Sequence, residues 1–236
     1  MLTKIYVPAN SPEDWQKLLA DPITQWRTGY SAKALAYAWM EDPNGFPASV
    51  RSVFASSQFE VFRAIEMLLA FPEHKTPLPG GRRPSQADVF VLARSMGNLV
   101  SITVEGKVSE PFHELVTEWK VPPTKGKRLR LQYLCDCLGL NLADVDGIRY
   151  QLLHRTVSAL IEADKFNGSR ALMMVHSFSQ TNDCFEDFEQ FAMLFDVKAE
   201  VNSIAYALRS RHRHPKFREI DLYLGWIRGE EKFLRV

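Results

Sequence analysis

With 236 residues, 46% of them hydrophobic and 24% charged, the chain can bury a real core, which excludes a disordered segment and makes one domain over residues 1–236 the default. A formal net charge of +1 argues against a strong non-specific nucleic-acid binder, which is usually clearly basic. No apolar run reaches the ~18–20 residues of a membrane span, residues 1–10 lack a signal-peptide core, and Cys135, Cys137 and Cys184 are odd in number without zinc-type spacing, so they read as buried reduced thiols of a cytoplasmic protein.

The first part, about residues 1–56, reads as a helical extension. Ser11, Pro12, Glu13 and Asp14 make a helix start, with Ser11 as N-cap. Residues 31–40 form a packed helix rich in alanine and aromatics, and Asp42, Pro43, Asn44 and Gly45 make a turn. Further helices are expected over 47–55 and 57–70, with Pro72 ending the second. Residues 76–85 carry prolines, glycines, Arg82 and Arg83, a loop with a basic centre. Residues 88–94 and 99–108 are two strands around a hairpin turn at 96–98. A helix follows over 125–138. Residues 145–164 make a long amphipathic helix that Asn167 and Gly168 stop. Residues 171–178 are apolar on both faces, as a central strand requires. A helix over 184–195 and a strand over 221–227 complete the part from 181 to 236.

The hairpin carries the chemistry. Side chains alternate along a strand, so Val100, Ile102 and Val104 face a core while Ser101, Thr103, Glu105 and Lys107 share the polar face. Antiparallel pairing about residues 96–97 brings Asp88, a residue disfavoured in strands, opposite Glu105. Two facing carboxylates repel unless a cation lies between them, and Mg²⁺ takes one or two protein carboxylates together with waters and phosphate. Lys107 stands one step along, within reach of a phosphate or an attacking water. A surface hairpin with a salt bridge is the plain alternative.

Asp88 followed by Glu105, Gly106 and Lys107 resembles the D…(D/E)-x-K signature of the PD-(D/E)XK nuclease superfamily, which includes restriction endonucleases. The stretches Ser85-Gln86-Ala87-Asp88-Val89 and Gly147 through Arg155 look like a bacterial branch of it, with Ala87 where the superfamily usually has Pro. The resemblance implies an α/β, restriction-endonuclease-like core of helix, strand hairpin, helix and strand over about residues 57–180. It implies a Mg²⁺- or Mn²⁺-dependent nuclease acting most readily on DNA, in defence or repair, with Asp88 and Glu105 as metal ligands and Lys107 orienting the water. Some superfamily members place a Gln and, four residues on, a Tyr or Arg near the metal. Gln151 and Arg155 fit that pattern on one helix face, the alternative being a solvated face. Relatives also use a glutamate from the preceding helix, and Glu66, inside the apolar arc expected for 57–70, fits that role; an Arg partner is the alternative. His154 reads as structural.

Two basic runs, 120–130 and 209–218, offer phosphate contacts through Lys125, Lys127, Arg128, Arg211 and Arg213, or else simply solvated faces. The implied partner is nucleic acid and no membrane, with a homodimer left open. The rival reading is a nuclease fold retained without catalysis, as a module that binds DNA or protein.

Overall fold

The computed structural model describes residues 3–6, 9–209 and 219–236. The fold is α/β, with a six-stranded mixed sheet between two helical layers. The N-terminal layer holds α1 (Pro12–Gln16), α2 (Pro22–Gln25), α3 (Ser31–Met40), α4 (Ala48–Ser56) and α5 (Glu60–Arg63). Three antiparallel strands follow: β1 (Glu66–Thr76), β2 (Ser85–Ser95) and β3 (Asn98–Lys107). Next come α6 (Val116–Trp119), α7 (Lys125–Leu138), α8 (Tyr150–Lys165) and β4 (Arg170–Ser177). The chain ends with α9 (Phe185–Met193), β5 (Ser203–Arg209), β6 (Asp221–Arg228) and a 3₁₀ turn, Glu231–Leu234.

The strand order is β1-β2-β3-β4-β6-β5. β4 lies parallel to both β3 and β6, which is why its residues are buried on both faces. Alternation divides the core in two. Val89, Val91, Val100, Ile102, Val104, Leu172 and Met174 pack under α3 and α4. Ala171, Met173, Val175, Leu222, Leu224 and Trp226 pack with α7, α8 and α9.

The hairpin turn is two residues long. Met96 (φ 50°) and Gly97 (φ 77°) both have left-handed backbones, and Ser95 pairs with Asn98, as in a type I′ connection.

Two expectations change. The helix over 57–70 is a short α5 followed by β1. Glu66, Met67, Leu68, Leu69 and Ala70 suit a helix locally, but pairing with the apolar β2 wins. β1 tolerates Pro72 because it is an edge strand. The long helix starts at Tyr150 rather than 145, because residues 142–145 form a 3₁₀ turn and Arg149 bridges to Leu115. β5 and its place beside β6 were not anticipated. The three cysteines are unpaired, with Cys135 and Cys137 buried. Among the described residues, no helix is long and apolar enough to cross a membrane.

Candidate functional site

The site forms where β2 and β3 meet the first turns of α8. The pair Val89–Val104 continues to Asp88 opposite Glu105. On the other side of β2, the pairs Pro72–Val89 and His74–Ala87 bracket Glu73 opposite Asp88. Three carboxylates, Glu73, Asp88 and Glu105, therefore stand in a row on neighbouring strands about 4.8 Å apart.

Glu105 is buried at 2% exposure, and both of its carboxylate oxygens accept hydrogen bonds. Its Oε1 accepts from Lys107 Nζ at 2.8 Å and from Gln151 Nε2 at 2.5 Å, and its Oε2 accepts from Arg155 Nε at 2.6 Å. Burial alone would raise its pKa, but Arg155 and then Lys107 overcome that and hold the carboxyl at about 2. Lys107 Nζ also donates to Gln151 Oε1 at 3.2 Å and lies 4.8 Å from the centre of the Phe112 ring. Arg155 donates its second bond to Ser85 Oγ at 3.2 Å. The four-residue spacing of Gln151 and Arg155 puts both on one face of α8. That face meets the polar face of β3 and is buried, not solvated.

Asp88 is placed differently. Its Oδ2 accepts the Gly106 N–H at 2.7 Å, and Oδ1 takes no hydrogen bond among the described residues. A Cβ on Gly106 would stand 3.3 Å from that Oδ2 and 3.2 Å from Leu35 Cδ2, so the glycine leaves room for the carboxylate against the backbone. Burial, and next the charge of Glu105, push the Asp88 carboxyl up to about 7 despite Arg155 and Lys107. Glu73 accepts from Gln86 Nε2 at 2.6 Å; burial and then Asp88 push it up to about 8. The row is matched by cations at the Glu105 end and short of them at the Asp88 end.

A cleft of about 480 Å³ opens over Asp88, Glu105, Lys107 and Gln151. Arg27, Tyr30 and Ser31 from the N-terminal layer line its other side. Glu110 fixes that side by accepting from Ser31 N at 2.7 Å and from Val108 N at 2.8 Å. Gln151 and His113 also line a second cavity, so the two adjoin.

The implied ion is Mg²⁺ or Mn²⁺. Among the described residues no three His, Cys, Asp or Glu side chains gather into one metal-sized group. Mg²⁺ needs only one or two protein carboxylates. Asp88, with a free oxygen and too little countercharge, fits as the first ligand. Glu105 Oε2, which accepts a single hydrogen bond, fits as the second.

The structure brings Asp88, Glu105, Lys107, Gln151 and Arg155 together. Glu66 does not join them. It opens β1 as an exposed residue, paired with Arg94 at 2.9 Å and Lys4 at 3.5 Å. Arg94 lies six residues from Asp88 along β2, about 20 Å at the usual strand rise. The error follows from reading 57–70 as a helix. The carboxylate that β1 does bring is Glu73. The available signal was Pro72, which marks an edge strand as readily as a helix end. Lys127 lines the second cavity, whereas Lys125 and Arg128 are exposed and line neither. Lys120 is paired with Asp146. Arg211 and Arg213 lie outside the described residues. His154 is half-buried, with Nδ1 2.8 Å from Ser85 Oγ, and desolvation, aided by Arg155, holds its pKa well below the usual histidine value.

No curated protein and no solved structure matches the chain. The model of a family described as a domain of unknown function, DUF6946, matches residues 8–231, nearly the whole chain, which therefore belongs to that family.

Proposed function

We propose that the chain is a divalent-metal-dependent nuclease that hydrolyses phosphodiester bonds, DNA foremost, on a restriction-endonuclease-like core. The observation that carries this reading is Asp88, short of countercharge and open to a cleft, beside Glu105 and Lys107. The element order β2, β3, α8, β4 supports the core, and a three-strand meander precedes its crossover. Asp88 and Glu105 would hold Mg²⁺ or Mn²⁺, which when bound supplies positive charge to a phosphate. Lys107, held between Glu105 and Gln151, presents a cationic donor to the phosphate or to water. Arg155 fixes the Glu105 carboxylate. Each bond in this network orients a group that touches the cleft, the arrangement a preorganised site needs.

A second reading, a module of the same fold that binds without cutting, is favoured by the closure of Glu105 upon Lys107, Gln151 and Arg155. Cleavage assays separate the two. Plasmid, linear duplex, single-stranded DNA and RNA are incubated with Mg²⁺ or Mn²⁺. The wild type is expected to cut at least one of them, and Asp88→Asn and Lys107→Ala to lose about 10²-fold or more in rate, the size of one preorganised electrostatic contact. Mn²⁺ calorimetry should show binding to the wild type and not to Asp88→Asn. No cutting of any substrate with either ion by a folded wild type sinks the nuclease reading.

A further inference from the structure

The second cavity, about 490 Å³, lies between the loop 77–84 and helices α6, α7 and α8. Its volume is that of a small-ligand pocket. A closed duplex can only lay its backbone ridge across such a concavity, whereas an unpaired nucleotide can enter it base first.

The walls are chemically suited to that guest. Arg83 makes no ion pair among the described residues, and Lys127 donates to the Val121 carbonyl at 2.9 Å rather than to a carboxylate. Both cations are therefore available to a phosphate. Trp119 and Tyr150, stacked with ring centres 3.8 Å apart, form an aromatic wall. Glu114 and Glu118 also line the cavity; carboxylates accept from the exocyclic amino groups of bases. Glu118 is already tied to Leu115 N at 2.9 Å.

The cavity is built in advance. Buried Arg130 donates to the carbonyls of Leu78, Pro79 and Gly81, so it holds the loop. Gly80 and Gly126 touch backbone to backbone. A Cβ on either would stand 2.2 Å from the carbonyl oxygen of the other, so no side chain fits there. A preformed pocket avoids an ordering cost on binding.

We propose that this cavity takes one unpaired nucleotide beside the phosphodiester at Asp88 and Glu105, so that the chain binds a single strand, an overhang or a frayed end rather than closed duplex. The proposal rests on the nuclease reading for the adjacent phosphate, and Gln151 and His113 line both spaces, so the two adjoin.

The test uses binding and cleavage separately. A labelled dodecamer strand and the blunt duplex of the same sequence are titrated by fluorescence anisotropy in Ca²⁺. The strand is expected to bind about tenfold tighter or more, a 1.4 kcal/mol difference. Arg83→Ala and Lys127→Ala should each weaken strand binding by about tenfold, again 1.4 kcal/mol. Each should also flatten the log–log salt slope by roughly 0.7 per lost phosphate contact. In metal-free buffer, deoxyadenosine monophosphate should quench a part of the emission that Trp119→Phe removes. Equal affinity for strand and duplex overturns the proposal, as does strand binding that neither substitution alters. Cutting of closed duplex unaffected by Arg83→Ala overturns the pocket and leaves the nuclease. Strand binding that depends on Arg83 and Lys127, without cutting in Mg²⁺ or Mn²⁺, supports the pocket and removes the nuclease.

Discussion

Glu105 and Asp88 carry the same group a strand apart, yet one is held at about 2 and the other pushed up to about 7. The difference is partners, since Glu105, the more deeply buried of the two, is the one held low. Glu105 has two cations and an amide, and Asp88 has one backbone N–H. Another buried titratable group acts on the whole fold. His176 on β4 is fully buried, with Nε2 3.1 Å from Ser49 Oγ and Trp39 beside it, and burial holds its pKa at about 3. As pH falls below about 6.5, the unfolded chain takes up a proton that the folded chain refuses until about pH 3, so stability is lost on acidification across that window. Between pH 7 and 5 the wild type should lose about 2 kcal/mol more than His176→Gln, measured by urea unfolding at both pH values. An equal loss in both proteins counts against it. The site residues legible in the sequence are those fixed by local periods: two along the hairpin for Asp88, Glu105 and Lys107, and four along α8 for Gln151 and Arg155. Glu73 depends on which strand pairs with the far side of β2, and no local period carries that.

Hairpin and α8 were legible as elements because turn chemistry and alternation agree there with the packing. β1 was not, since its first residues favour a helix and only the bond ladder to β2 makes them extended. β5 was missed for a related reason: it is an edge strand that takes its meaning from β6. At the hairpin turn one residue opposes its own conformation. Met96 is exposed and left-handed, a backbone that costs a non-glycine residue roughly 1 kcal/mol, and asparagine pays least. Met96→Asn completes an Asn-Gly pair. It should raise Tm by about 2–4 °C, the change for 1 kcal/mol at this chain length. A fall in Tm in a calorimetric scan would remove this account of the turn.

Across the whole molecule, the C-terminal turn ties the N-terminal layer to the sheet. Phe233 packs against Phe178 at 6.2 Å, Lys232 pairs with Glu41 at 2.6 Å, and Thr28 Oγ1 donates to the Val236 carbonyl at 2.5 Å. Thr28 neighbours Arg27, which lines the cleft, so these contacts steady one wall of the site. Removing residues 231–236 should speed hydrogen exchange across residues 24–40 and leave β3 and β4 protected. Unchanged exchange over 24–40 would show that the wall stands without its tie.

The parallel pair β3 and β4, joined through α8, sorts the ends of the chain's elements. Lys107 and Ser177, the last residues of the two strands, share one rim with Tyr150 and Gln151 at the start of α8. Met96, Gly97, Asn167 and Gly168 occupy the opposite rim, where Gly168 backs onto the Leu99 carbonyl. All the side chains of the site belong to the first rim, about 30 Å away at the usual rise of a ten-residue strand. The second rim is therefore a handle: a tether, a dye or an inserted segment at residue 96 marks the molecule without entering either cavity at the candidate site.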